Sequence, residues 1–312
     1  MYHYIDDEDK YQRGVYPVSL ERLERQIELI GKNFQFICEA DLVKAIRGEK
    51  ALPESSAYLS FDDGLKSHYQ RAFPLLKRKG VGAVFSVSSL PFTQKKACLV
   101  HKIHYLLTFL EPERFLQEID SFYQEITGRP LAFKESQETV KRFKRYDEPT
   151  IGKVKFLLNH HLEQEVSQEI IDEIFKRCSP VNEQEFINKW YLSKQEIKEM
   201  SREGFSFELH TESHLNMLKI SAESLERELA ENLKFLENLL PQREVYGISY
   251  PYSWIERSSC QRFMEQAGGK LGLVYGLTTV SKINASLESP FLLSRFDTND
   301  LPAGKRPIID FS

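Results

Sequence analysis

Two short segments of this 312-residue chain hold the side chains that a hydrolytic metal site needs. In Ser60-Phe-Asp-Asp-Gly64 two carboxylates are adjacent. Successive side chains of an extended segment point to opposite sides, so Asp62 and Asp63 divide the work unless the turn bends them together. One can bind a cation while the other handles protons. Alone, Asp-Asp-Gly is also an ordinary turn signature. In His210-Thr-Glu-Ser-His214 two imidazoles are four residues apart. That spacing puts both on one face of a helical turn, within reach of a single Zn²⁺. It is not the H-E-x-x-H pattern, because Thr211 stands where the general-base glutamate belongs. Catalytic zinc sites commonly use three protein ligands and keep a position open. The aspartate pair therefore supplies what the histidines lack.

A third segment, Ser249-Tyr-Pro-Tyr252, has a binding rather than an ionic character. Pro251 fixes a turn, and Tyr252 can offer its backbone N–H or its ring to a substrate. Aromatic rings suit the apolar C–H faces of sugars. Without the other two segments, this one reads as a strand-terminating turn.

Each segment follows a stretch with strand character. Ala57 to Phe61, Phe205 to Leu209 and Val245 to Tyr250 are the predicted strands, and active sites of parallel α/β folds gather at such C-terminal strand ends. Around them the chain alternates. A short apolar segment at Tyr2 to Ile5 precedes a helix marked by Leu20, Leu23, Ile27 and Ile30. Phe34 to Cys38 suits a strand and Asp41 to Ile46 a helix. Tyr69 to Lys79 is helical with Gly80 as its stop, and Val81 to Val87 is the next strand. Ser193-Lys-Gln-Glu196 is a capping box opening a helix to about Arg202. Leu225, Leu229, Leu233, Leu236 and Leu240 mark a longer helix, and another lies near Ser258 to Ala267. Repeated βα units imply a mainly parallel sheet with right-handed crossovers.

Residues 92–190 break this rhythm. Ile103, Leu106, Leu107 and Leu110, then Phe115, Ile119, Phe122 and Ile126, then Val166, Ile170 and Ile174 keep helical spacing throughout. The expected organisation is a barrel from residues 1–91 and 191–312 with a helical insertion at 92–190, either a packing subdomain or lid, or a wall that selects substrate.

Composition narrows the partners. With 42 Lys and Arg against 46 Asp and Glu, the net charge of −4 gives no basic stripe for nucleic acid. Cys38, Cys98, Cys178 and Cys260 have no zinc-finger or CxxC spacing and read as buried or inert thiols. No apolar run is long enough for a transmembrane helix, and the acidic opening lacks an apolar signal region, which makes a cytoplasmic address the expectation.

These three segments resemble the motifs of the polysaccharide deacetylase family, the NodB-homology carbohydrate esterases of family 4. Ser60 to Gly64 is similar to its T/S-F-D-D-G motif and His210 to His214 to its H-S/T-x-x-H motif. Ser249 to Tyr252 is a looser counterpart of R-x-P-Y. The resemblance covers about residues 1–90 and 190–300. It implies an α/β fold, an irregular (β/α) barrel, in which Asp63, His210 and His214 bind one divalent ion, Zn²⁺ by expectation. It also implies Asp62 as general base and the Tyr252 backbone N–H as an oxyanion donor, with Pro251 and Tyr252 at the substrate. The implied reaction removes acetyl groups from an N-acetylated glycan or amino sugar.

Two departures stand out. Ser249 occupies the motif's arginine position, and Arg295, in Leu-Leu-Ser-Arg-Phe-Asp, is the candidate replacement from the last strand. No histidine follows His214, so the family's late histidine, a general acid, is missing; His3, His101 and His104 are the candidates in its place. Those gaps keep two other readings open: a non-catalytic glycan-binding relative, and a metal-dependent amidohydrolase for a small amide. Oligomeric state is not legible.

Overall fold

The structure is a computed structural model that describes all residues except 134, 135, 137, 141–146, 243, 253–257 and 310–312, and the side chains of 258–260. The chain divides into two compact units. The first comprises Met1–Glu8, Pro17–Gln94 and Asn188–Ser312, and the second Asp9–Tyr16 and Lys95–Ile187.

The first unit is an α/β fold, an irregular (β/α) barrel built on a five-stranded parallel sheet. Its strands are β3 (Leu59–Phe61), β4 (Ala83–Val87), β5 (Ser206–Leu209), β6 (Gly247–Ser249) and β7 (Tyr275–Leu277), hydrogen-bonded in that order. A separate parallel pair joins β1 (Gln35–Phe36) to β2 (Ser56–Ala57). The predicted strand Ala57 to Phe61 is thus interrupted at Tyr58. Backbone bonds extend the sheet at both edges. Tyr2 N–H donates to Ser60 O at 2.9 Å, and Leu293 N–H donates to Gly276 O at 3.0 Å. Thr298 N–H then reaches Met1 O at 3.2 Å, so the last segment runs beside the first.

Register explains which side chains face the helices. Phe61 lies opposite Phe85, which lies opposite Phe207, and Tyr2 bridges Phe61. Their rings form a row, with centroids 5.1 Å apart for Tyr2–Phe61, 5.0 Å for Phe61–Phe85 and 5.8 Å for Phe85–Phe207. This aromatic row belongs to the main core, with Leu23, Ile27 and Ile30 of α1 (Leu20–Asn33). Period-2 alternation sends the neighbouring positions, Asp62, Ser86 and Glu208, to the opposite face. Gly247 marks a close approach there, because a Cβ would lie 2.2 Å from the Tyr275 ring.

The other elements of this unit are helical. They include α2 (Glu39–Ile46), α3 (Phe73–Lys79) and the helices Lys194–Arg202, Ala222–Leu239 and Ser258–Lys270. The turn entering α3, His68–Ala72, is a π-helix rather than regular α, and Gly80 ends α3 in the left-handed conformation expected of a cap. Ser193 and Glu196 form the expected capping box. The sequence pattern marks no strand at β7.

The second unit is helical, with helices at Leu99–Leu107, Pro112–Thr127, Pro149–Phe156 and Gln164–Cys178. Buried Lys102 holds it together, its ammonium 2.6 Å from both Asp172 and Glu183. Removing either partner would leave a buried charge less compensated. Among the cysteines, Cys98 is buried but Cys38 is exposed, since it precedes α2 as its N-cap; the Cys260 side chain lies outside the described residues. Among the described residues, no helix is long and apolar enough to cross a membrane.

Candidate active site

The site is built at the C-terminal ends of β3, β5 and β6. Beyond Phe61 the chain turns sharply, with Asp63 at φ 82° and Gly64 at φ 62°. This left-handed step is unusual for a residue with a Cβ. It sends the two carboxylates to different partners. Asp63 faces the histidines, and Asp62 faces Arg295, Ser86 and Ser249.

The His210–His214 segment is not the helical turn that its spacing suggested. It is a loop with left-handed residues at Thr211 (φ 58°) and His214 (φ 56°). The loop is tied down by its surroundings. Asn232 accepts from His210 N–H at 2.9 Å and donates to Val87 O at 2.9 Å. Ser88 donates to His210 O at 2.9 Å, and Glu228 accepts from both the backbone and the hydroxyl of Ser213 at 2.9 and 3.0 Å. These external bonds replace the helical ladder. The rings still converge, edge to face at 4.7 Å between centroids.

Asp63, His210 and His214 are all buried, and their ligand atoms lie within 4.8 Å of one another. Asp63 Oδ1 is 3.2 Å from His210 Nε2 and 3.1 Å from His214 Nε2. His210 Nδ1 lies 2.7 Å from Ser249 O, which can only accept, so Nδ1 carries the proton. Its Nε2 then turns a lone pair toward a carboxylate oxygen. Two lone pairs at that distance require a proton or a cation between them. Burial alone would lower the His210 pKa, but Asp63 and then Asp62 outweigh it and raise it. The donor set of two imidazole nitrogens and one carboxylate fits a divalent transition metal.

Asp62 is 2 % exposed and fully committed. Arg295 grips it with Nη1 at 2.8 Å from Oδ1 and Nη2 at 2.9 Å from Oδ2. Ser86 Oγ is 3.1 Å from Oδ1, and Ser249 donates to Oδ2 at 3.0 Å. Arg295 and Ser249 thus fill three of the carboxylate's acceptor positions, and the fourth faces Ser86, whose single hydroxyl proton is shared with Glu208 at 2.7 Å. Burial pushes the Asp62 carboxyl up, but the Arg295 guanidinium, helped by His210 and His3, overrides it and holds the group well below the usual carboxylate range. Arg295 itself is placed by Thr278 O at 2.8 Å and Ser60 Oγ at 3.0 Å. It does not sit on a strand, as expected, but on an extended segment bridged to β7 at Leu293.

Three further groups complete the surroundings. His3 Nε2 is 3.9 Å from Asp62 Oδ2 and its side chain is 36% exposed. The other candidate histidines, His101 and His104, belong to the second unit. The Tyr252 ring stands edge-on to His214 at 5.0 Å, beside buried Pro251, and its backbone is left-handed at φ 55°. Glu208 is fully buried, with Ser86 Oγ 2.7 Å from its Oε1, and burial raises its pKa to about 8. Neither Glu208 nor Asn232 was singled out from sequence. Asn232 left a signal, a polar residue on the leucine stripe of its helix, and Glu208 left another, a carboxylate between Phe207 and Leu209 in a buried strand.

The chain is similar to known proteins in sequence and in fold. The sequence model described as polysaccharide deacetylase matches residues 155–271. The poly-beta-1,6-N-acetyl-D-glucosamine N-deacetylase of Escherichia coli (strain K12) is 38% identical over 77 residues, which is 24% of this chain and 11% of that protein. The chain thus aligns with only about a tenth of that relative. IcaB from Ammonifex degensii superposes with a TM-score of 0.55 at 15% identity, covering 97% of this chain and 92% of that one. The Streptococcus pyogenes deacetylase PplD, solved in complex with acetate, superposes with a TM-score of 0.54 at 16% identity, covering 95% and 88%. At such identities the superpositions speak for the fold.

Proposed function

We propose, from its similarity to the polysaccharide deacetylase family, that this chain is a metal-dependent hydrolase that removes acetyl groups from an N-acetylated hexosamine polymer or its precursor. The observation that carries the reading is the buried convergence of Asp63, His210 and His214 next to the Asp62–Arg295 pair. Asp63, His210 and His214 would hold one divalent ion, Zn²⁺ by its preference for mixed nitrogen and oxygen donors. Such an ion supplies Lewis acidity toward the acetyl carbonyl and makes water more acidic.

The chain's own residues do the rest. Ser249, through its carbonyl, fixes the tautomer and the plane of His210. Arg295 keeps Asp62 ionised and aimed, so it is ready to take the proton of the attacking water. To take that proton, Asp62 needs one of its acceptor positions free. Ser86 is the natural one to yield, because its hydroxyl has Glu208 as a second partner at 2.7 Å. His3, half-exposed beside Asp62, is the proposed donor to the departing amine, in the role that no histidine after His214 can fill. Tyr252 offers its N–H to the developing oxyanion and its ring to the sugar face. The name of the Escherichia coli relative supports an N-acetylglucosamine polymer as the class of substrate.

The test combines elemental analysis with acetate release from N-acetylated glucosamine oligomers and polymers. About one metal equivalent per chain is expected, with acetate release that a chelator abolishes. The His210→Ala, His214→Ala double variant should lose both. Full metal content in that variant, or no acetate from any N-acetylated glycan by the metal-loaded protein, would sink the reading.

A further inference from the structure

The first unit contains a cavity of about 830 Å³ that none of Asp63, His210 and His214 lines. It lies among the end of α1, α2, the run-up to β3 and the extended stretch of residues 282–296. Its walls are mainly apolar. Phe34, Leu52, Ala57, Leu287 and Phe296 all line it, and each keeps part of its surface open. At the same cavity Ile283 is 66% exposed. Protein interiors normally pack to crystal-like density, with few voids larger than a water molecule. A hollow of this volume has instead the size and lining of a small-molecule site.

The charged residues of the lining decide what kind of molecule fits. They are Lys50, Glu54, Lys282 and Arg295. Arg295 is matched by Asp62, and Lys50 by Asp41 at 3.0 Å. Glu54 and Lys282 make no ion pair among the described residues, and of the two only Lys282, adjacent to the exposed Ile283, can attract an anion. A saccharide would set many of its hydroxyls against apolar walls, because the lining groups of Ser56, Tyr58, Ser60 and Asn284 are already hydrogen-bonded within the protein, at a cost per unpaired group. An aliphatic chain loses nothing there, and an anionic head would meet the free ammonium while Lys282 lays its own methylenes along the apolar lip.

We propose that this cavity binds a single-chain aliphatic anion of the fatty-acid class, with the chain among Phe34, Leu52, Leu287 and Phe296 and the head group at Lys282. The proposal is independent of the hydrolase reading, since it uses none of the metal-ligating residues and its test measures no acetate.

The experiment is a fluorescence titration of the delipidated full chain with cis-parinaric acid, followed by displacement with palmitate and with hexadecanol, its uncharged counterpart. Saturable binding of about one probe per chain is expected, displaced by palmitate and poorly by hexadecanol. Lys282→Glu should weaken the probe roughly two- to fivefold, the scale of one exposed charge contact. Ala57→Trp should abolish binding by filling the hollow. If that variant does not fold, as judged by circular dichroism, Ala45→Trp on α2 fills the same space from a half-buried position. The proposal is overturned by an absence of saturable binding to the wild-type chain, by unchanged affinity in a folded cavity-filling variant, or by hexadecanol competing as well as palmitate.

Discussion

Arg295 meets Asp62 in a two-pronged contact at 2.8 and 2.9 Å across 233 residues of sequence, and both partners are buried. The guanidinium reaches the carboxylate from the segment after β7, while Ser249 occupies the position from which the family motif would send an arginine. A serine there still bonds Asp62 at 3.0 Å, so the site keeps the charge and the donor but takes them from different strand ends.

That contact predicts the behaviour of Arg295 variants. Lysine carries the charge but cannot donate in a planar fork. Arg295→Lys should therefore retain the fold and the metal while losing roughly tenfold or more in acetate-release rate, and Arg295→Met should lose more because it strands a buried carboxylate, at about 3–5 kcal/mol. Steady-state rates and urea unfolding of both variants check this. An Arg295→Met protein as stable and active as the wild type would contradict it.

The adjacent aspartates should separate cleanly. Asp63 faces the two imidazoles, so Asp63→Asn should lower metal affinity and activity together, with partial recovery in excess metal. Asp62 contacts Arg295 and two serines, so Asp62→Asn should remain metal-loaded yet lose roughly 10²- to 10⁴-fold in rate. Metal content and turnover measured side by side decide it, and the reverse pattern would exchange the two roles.

Glu208 should shape stability on the alkaline side. Burial raises its folded pKa to about 8 from an ordinary 4.5, so the unfolded chain holds fewer protons than the folded one between those values. Stability contributed by the neutral acid is then full below about pH 4.5 and is lost progressively as pH rises toward 8. Glu208→Gln keeps an acceptor for the Ser86 hydroxyl and removes the ionisation. Its melting temperature relative to wild type should rise from pH 5 to pH 8, and a pH-independent difference would mean that Glu208 is ionised in the folded protein.

His68 acts at the acid end. It is fully buried, with Nε2 2.7 Å from His3 O, and burial lowers its pKa to about 4. The unfolded histidine takes up its proton near 6.5, so between about 6.5 and 4 the unfolded state binds more protons and stability falls as pH drops. A swing of a few kcal/mol is expected over that window. His68→Gln should be less stable near pH 7 but should show a shallower decline on acidification in thermal melts from pH 7 to pH 4. An equally steep decline would place the acid sensitivity elsewhere.

The motif residues were legible in sequence because their chemistry is carried by residue type and short spacing. Asp62 and Asp63 at a strand end, His210 and His214 four apart, and the βα alternation around them all depend on neighbours in the chain. What the sequence by itself determined was therefore the cast of the site and the class of the fold. Tertiary structure decided the partners and the geometry. The histidine spacing suggested a helical turn, but Asn232, Ser88 and Glu228 supply bonds from other elements that hold a left-handed loop instead. The sequence offered Arg295 as the candidate for the missing arginine, but its contact with Asp62 depends on the edge of the barrel that brings residues 293–298 beside residue 1, which no local pattern contains. Glu208 looked like any polar residue in a strand until register placed it opposite Ser86, behind Asp62. Side-chain type is written one residue at a time, whereas burial and partnership are set by strand register and closure, which depend on the whole chain at once.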